Sequence, residues 1–244
     1  MGRPAWQAGA VSDETPTPEG ADPSFVTFGR RRSAGQAYLV RPGADWDGTG
    51  PGVLVLSSWW GLTRGIKDFC NRLCDEGFVV LAPDLMDGAL PETAAEAELE
   101  LAETDPNTTA NLVLSSTVAL RSATDDPAGP VAVIGFSMGA SWALWAATRQ
   151  PESFDKVVAY YGSQAIDFGD MAARVQGHFA EHDSLVSDDD VVLLEADLFE
   201  LGRDPEMWHY AGTQHWFAEA GVDGHYDEPA AELAWERTLG FLRS

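Results

Sequence analysis

Eight short apolar runs rich in β-branched residues alternate with longer segments of helical period, and that alternation limits the chain to a parallel sheet covered by helices on both faces. The runs lie at 25–29, 36–41, 52–57, 78–82, 131–135, 156–161, 176–181 and 206–210. Segment 52–57 (GVLVLS) is apolar almost throughout, as a strand buried on both faces must be. The first two runs read as a hairpin around Arg30, Arg31 and Arg32. Helical segments are predicted near 65–75, 91–103, 107–122, 140–150, 188–201 and 228–243. Asp105 followed by Pro106 supplies an N-cap and a proline at the first helical position, so 91–122 divides into two helices. The expected class is α/β, an eight-stranded, mostly parallel sheet in one domain spanning 25–244. Residues 1–24, with Pro4, Pro16, Pro18 and Pro23, read as a flexible leader without the apolar run of an export signal.

One of these junctions carries chemistry. In 131–140 (VAVIGFSMGA) a buried strand runs straight into G-x-S-x-G and then into the small-residue start of a helix. A strand that turns so sharply into a helix leaves no room for Cβ atoms beside the turn, and Gly135 and Gly139 remove them. Ser137 is then projected outward above a helix N-terminus, where the positive dipole end meets a developing oxyanion. A serine hydroxyl needs a base, and the base needs an acid to hold its tautomer. In this kind of site the order is serine, acid, histidine.

The histidines are His178, His182, His209, His215 and His225. His178 and His209 fall within predicted strands, His182 points away from its neighbour Asp183, and His225 sits in a polar loop where solvation is the default. His215 occupies a short glycine-containing loop directly after the last strand, where the final member belongs. For the acid, Asp183 lies just past strand 176–181, with Asp167 and Asp170 as the alternative. Asp188, Asp189 and Asp190 mark a helix N-terminus, where acids oppose the dipole.

Together these stretches resemble the dienelactone hydrolase family of α/β-hydrolases. The likeness runs over nearly the whole chain after Phe25: LVLSSWWGL at 54–62, GFVVLAPDL at 77–85, the elbow, Tyr160-Tyr161-Gly162, the Asp183 turn, GTQHWF at 212–217, and the tail from Tyr226 to Phe241. The resemblance implies an α/β-hydrolase fold and a triad of Ser137, Asp183 and His215. It also implies an oxyanion hole from the backbone N–H groups of Met138 and Trp59, consistent with the general rule for such hydrolases. The best-known members of that family carry a cysteine at the elbow, where this chain has Ser137, and a glutamate where Ser58 stands. They hold a substrate carboxylate with two arginines, aligned here with Gly88 and Glu219. Ser58, Trp60 and Trp216 are expected to line the substrate pocket. Trp142 and Trp145, on the helix after the elbow, read equally well as core. Arg64 reads as a solvated surface arginine.

Charge sharpens the substrate. Thirty-nine acids against 15 Lys and Arg give a formal charge of −24, which repels a phosphate backbone and an anionic membrane surface. Residues 73–120 hold ten acids and 175–202 hold eight, with no Lys or Arg in either, and both stretches leave the carboxyl edge of the sheet. Glu219, Asp223, Asp227 and Glu228 are expected to add to that negative edge. The expected substrate is a small neutral or cationic ester or lactone. Cys70 and Cys74, one helical turn apart, read as small core residues, and a chain of this size buries a core without disulfides or metals. No cofactor, metal, nucleic acid or membrane partner is expected, and the chain is read as a cytoplasmic monomer or small homo-oligomer.

Overall fold

The computed structural model describes residues 25–28, 35–43 and 50–244. The leader 1–24 and the turn at Arg30–Arg32 lie outside the described residues. The strands are β1 (Phe25–Phe28), β2 (Gly35–Val40), β3 (Gly52–Leu56), β4 (Val79–Pro83), β5 (Val131–Phe136), β6 (Phe154–Tyr160), β7 (Arg174–His182) and β8 (Glu206–Gln214). They form one eight-stranded sheet in the order β1-β2-β4-β3-β5-β6-β7-β8. The pairs β1–β2 and β2–β4 are antiparallel, and every other pair is parallel. The carboxyl ends of β3 to β8 therefore share one edge, the edge where open α/β sheets place their ligands.

The helices begin where their caps allow. In α1 (Arg64–Asp75), Thr63 accepts the Ile66 N–H, and Ile66, Cys70 and Leu73 form the buried face. Thr93 caps α2 (Ala94–Glu103), so that helix starts three residues later than its sequence suggests and leaves Pro91 and Glu92 outside it. Asp105 caps α3 (Pro106–Arg121) with Pro106 in its first turn, as read from the sequence. After α4 (Met138–Arg149), α5 (Asp188–Glu200) opens with a capping box between Ser187 and Asp190, and its three consecutive acids fill the first turn, where they oppose the helix dipole. The last helix, α6 (Glu228–Arg243), is capped by Asp227.

Alternate strand residues feed two apolar layers. Leu54, Leu56, Leu81, Val133 and Val157 face α3, α4 and α5 through Val113, Leu144, Leu194 and Leu198. Val53, Val55, Val80, Ile134 and Val158 face α1 and α6 through Ile66, Leu73, Trp235 and Phe241. Each fully buried side chain of this size contributes roughly 1.5–3 kcal/mol of transfer free energy. Cys70 belongs to the second layer, where burial pushes its thiol pKa upward.

The largest departure from expectation is β8, which runs past Tyr210 to Gln214. Gly212, with φ +75°, and a register irregularity after Ala180 let the strand continue, while the Glu181 carboxylate accepts the Gly212 N–H at 2.6 Å. The added length has a consequence at the edge. His182 pairs with Gln214, so the next residues on the two strands, Asp183 and His215, emerge side by side. Among the described residues no helix is long and apolar enough to cross a membrane.

Candidate active site

Ser137 stands at the turn between β5 and α4 with φ +52° and ψ −116°. A non-glycine residue held there costs of order 1–3 kcal/mol and persists only where the surroundings over-determine it. They do: the Ser137 N–H donates to the Tyr160 carbonyl at 2.9 Å, and its carbonyl accepts the Ala140 N–H at 2.9 Å. A Cβ on Gly139 would strike the Leu56 and Ser57 carbonyls, one on Gly135 the backbone of Gly139, and one on Gly162 the Ser137 carbonyl. Although Ser137 occupies the N-cap position, its side chain makes no capping bond. Its hydroxyl is turned to a different partner.

That partner is His215. Ser137 Oγ lies 2.7 Å from His215 Nε2, and His215 Nδ1 lies 2.8 and 2.7 Å from Asp183 Oδ1 and Oδ2. The side chains of His215 and Asp183 are 2% and 5% exposed, so water screens the pair little. Asp183 Oδ1 also accepts the N–H groups of Leu185 at 2.8 Å and Val186 at 2.9 Å. Burial alone would raise the Asp183 pKa; the His215 hydrogen bond and charge, with those two N–H groups, outweigh it and hold the carboxyl below its ordinary value. A carboxylate on Nδ1 leaves Nε2 as the acceptor facing the serine.

The competing residues go elsewhere. Asp167 and Asp170 are exposed, and Asp167 accepts the Gly169 N–H. His182 and His209 are exposed. His178 is buried against Tyr210 and Gln176, and burial pushes its pKa down to about 3. His225 departs from expectation: it is half-buried, its Nδ1 lies 3.0 Å from the His215 carbonyl, and its ring packs on Trp216 with centroids 5.0 Å apart. It braces the loop that presents His215. Nothing in its polar sequence context, Asp223-Gly224-His225, signals that contact.

Met138 is the first residue of α4, so its N–H has no carbonyl of the preceding turn to bind. Trp59 follows β3 on the same edge. Its ring stacks on Trp216 at 5.6 Å, Trp60 meets Trp216 edge-on at 5.3 Å, and Trp216 meets the His215 imidazole at 4.6 Å. These rings form a wall beside the histidine. Trp142 packs on Trp145 at 5.3 Å against the opposite layer of the core, away from that wall.

Two residues expected at the pocket surface lie behind it. Ser58, expected to line the pocket, is fully buried, and its hydroxyl donates to Glu219 Oε2 at 2.7 Å. Glu219, expected at the negative edge, is 3% exposed and also accepts the Tyr161 hydroxyl at 3.1 Å. Burial pushes the Glu219 carboxyl up to about 7, against the downward pull of those two hydroxyls. Tyr161 bridges the groups: its hydroxyl reaches Glu219 while its ring lies 5.0 Å from that of His215.

A cleft of about 640 Å³ opens beside this wall, lined by Trp60, Arg64, Glu92, Asp223 and His225 among others. It adjoins the aromatic residues rather than enclosing Ser137. Arg64 is 94% exposed, with its nearest acid, Asp68, at 3.6 Å. Among the described residues no group of three or more His, Cys, Asp or Glu is arranged to hold a metal ion.

A parallel sheet with a strained serine at a strand-to-helix turn, and a histidine and an aspartate delivered by the last two strands, defines an α/β-hydrolase. The chain belongs to the dienelactone hydrolase family, whose pattern matches residues 36–244. It is 28% identical over 228 residues to Protein usf of Aquifex pyrophilus, covering 90% of this chain and 97% of that one. It is also 28% identical over 229 residues to the Aquifex aeolicus protein named "Putative carboxymethylenebutenolidase", with the same coverage. In structure it resembles a dienelactone hydrolase-like promiscuous phosphotriesterase from metagenomic libraries, with a TM-score of 0.76 at 23% identity, covering 90% of this chain and 96% of the other. At that identity the likeness concerns the fold.

Proposed function

We propose that this protein is a serine hydrolase that cleaves an ester or lactone bond of a small, neutral substrate. The observation that carries the reading is the unbroken line from Ser137 Oγ to His215 Nε2 at 2.7 Å and from Nδ1 to the Asp183 carboxylate at 2.7–2.8 Å. Membership of the dienelactone hydrolase family supports it, as do relatives whose name denotes a butenolide-cleaving enzyme.

Ser137 Oγ attacks the substrate carbonyl as its proton passes to His215 Nε2. Asp183 holds the resulting imidazolium through Nδ1–H. The tetrahedral oxyanion is received by the N–H groups of Met138 and Trp59. Collapse breaks the carbonyl–alkoxy bond, and the leaving oxygen takes the proton from Nε2: an ester releases its alcohol, whereas a lactone opens to an acyl-enzyme that carries the alcohol at the far end of its acyl chain. Water then enters, gives a proton to Nε2 and attacks the acyl-enzyme. A second collapse releases the acid and restores Ser137.

The preference for neutral substrates rests on what surrounds the site. The cleft beside Trp60 presents Glu92 and Asp223 against one solvated arginine, Arg64, and the family resemblance implies that Gly88 and Glu219 replace a pair of substrate-binding arginines. Hydrolysis of short-chain p-nitrophenyl esters and of simple lactones, lost in Ser137→Ala and His215→Ala, is the expected result. Undiminished turnover in Ser137→Ala would remove the serine from the mechanism, and faster turnover of a free-carboxylate lactone than of its methyl ester at low salt would overturn the charge preference.

A further inference from the structure

Three strand exits meet at one buried carboxyl. Glu219, in the turn after β8, accepts hydroxyls from Ser58 after β3 and Tyr161 after β6. Neither bond touches the Ser137 side of the site directly. Ser58 Oγ, however, also receives the Trp60 N–H at 3.3 Å, and the Ser58 carbonyl receives the Gly61 N–H at 3.1 Å. The turn 58–61 is thus fastened to itself at both ends of Trp59 and to Glu219 through a single hydroxyl. The Ser58 carbonyl and the Trp59 N–H belong to one trans peptide and point in opposite directions, so fixing the carbonyl aims the N–H.

We propose that Glu219 is a positioning residue that, through Ser58, aims the Trp59 N–H at the oxyanion formed on Ser137. The inference rests on the serine-hydrolase reading and names what holds its second oxyanion donor. A carboxyl suits the task because its two oxygens accept two hydroxyls at once. Burying it is unfavourable compared with an apolar residue of similar volume, so packing alone does not explain the choice. The carboxyl never meets the substrate. Its influence passes along Glu219, the Ser58 hydroxyl and the backbone to a group whose value lies in its direction.

The test separates aim from mere integrity of the loop. A short trifluoromethyl ketone adds to Ser137 as a tetrahedral oxyanion, whereas the methyl ketone of the same length binds as a planar carbonyl. In Glu219→Ala, kcat for a p-nitrophenyl ester should fall about 10- to 100-fold with KM within about twofold, somewhat less than outright loss of an oxyanion donor. Affinity for the trifluoromethyl ketone should fall by the same factor while the methyl ketone is unaffected. Glu219→Gln, which keeps an acceptor for Ser58, should recover most of the loss. Ser58→Ala should resemble Glu219→Ala, and the double variant should be no worse than the poorer single one, because both act along one path. If Glu219→Ala does not fold, Ser58→Ala decides the matter alone. Equal weakening of both ketones, or unchanged affinity for the trifluoromethyl ketone, overturns the proposal. A wild-type protein that forms no adduct with the trifluoromethyl ketone overturns the hydrolase reading beneath it, a result distinct from the other two.

Discussion

Asp183 and Glu219 are two buried carboxyls on neighbouring strand exits, and their surroundings drive them in opposite directions. Asp183 sits in a turn that aims two backbone N–H groups at one oxygen while the imidazole meets both, and its pKa falls. Glu219 has only two hydroxyls to offset its burial, and its pKa rises to about 7. Burial is common to both; the number and kind of donors decides the sign. One carboxyl is held in its charged form beside the His215 imidazole, and the other receives hydroxyls from two other strand exits.

The largest expected effect separates the two on activity. Asp183→Asn should lower kcat by about 10⁴-fold, since an amide no longer fixes the tautomer of His215, whereas Glu219→Gln should cost less than about tenfold. Steady-state kinetics on one ester suffices, and comparable losses would break the distinction.

The second effect is on stability, with opposite signs. Glu219 has a folded pKa raised from 4.5 to about 7, so the native state keeps a proton that the unfolded chain releases. Its contribution is intact below pH 4.5 and stability declines as pH rises toward 7. Glu219→Gln should therefore gain about 1–3 kcal/mol at pH 8 relative to its effect at pH 4.5, as urea unfolding at both pH values would reveal. Asp183 runs the other way. Its lowered pKa adds stability above the unfolded value, which is lost as pH falls through the folded one, so Asp183→Asn should destabilise most at neutral pH and least in acid.

A smaller change sharpens the role of donor number. Tyr161→Phe leaves Glu219 with one hydroxyl and should move its carboxyl above about 7, read by carboxyl ¹³C chemical shift, with a loss of about 1 kcal/mol at pH 8. A downward move would mean that donors do not govern this site. The smallest effect concerns the cleft, where the exposed Arg64 should matter little: Arg64→Ala should change kcat/KM for an anionic ester by about two- to threefold at low salt and not at all in high salt.

Much of this was legible in the sequence because local rules agreed with the fold. Asp105-Pro106, the triple Asp in the first turn of α5 and the strand-to-helix context of Ser137 each carry their structural cause in adjacent residues. His215 and Asp183 were legible for a different reason: a parallel sheet delivers its strand ends to one edge. What stayed hidden depends on contacts distant in the chain. That Ser58 and Glu219, 161 residues apart, form one hydrogen-bonded pair follows from the strand order, and neither residue alone announces it. The length of β8 was hidden too, because Ala211-Gly212 interrupts its apolar run while backbone pairing with β7 continues.

The central claim is that Ser137 is a nucleophile activated through His215, and covalent labelling tests it most directly. Intact-mass measurement after treatment with a fluorophosphonate should reveal one adduct per chain, located on Ser137 by peptide mapping, absent from Ser137→Ala and formed far more slowly in His215→Ala. An adduct of equal yield in Ser137→Ala, or none in the wild type, would contradict it.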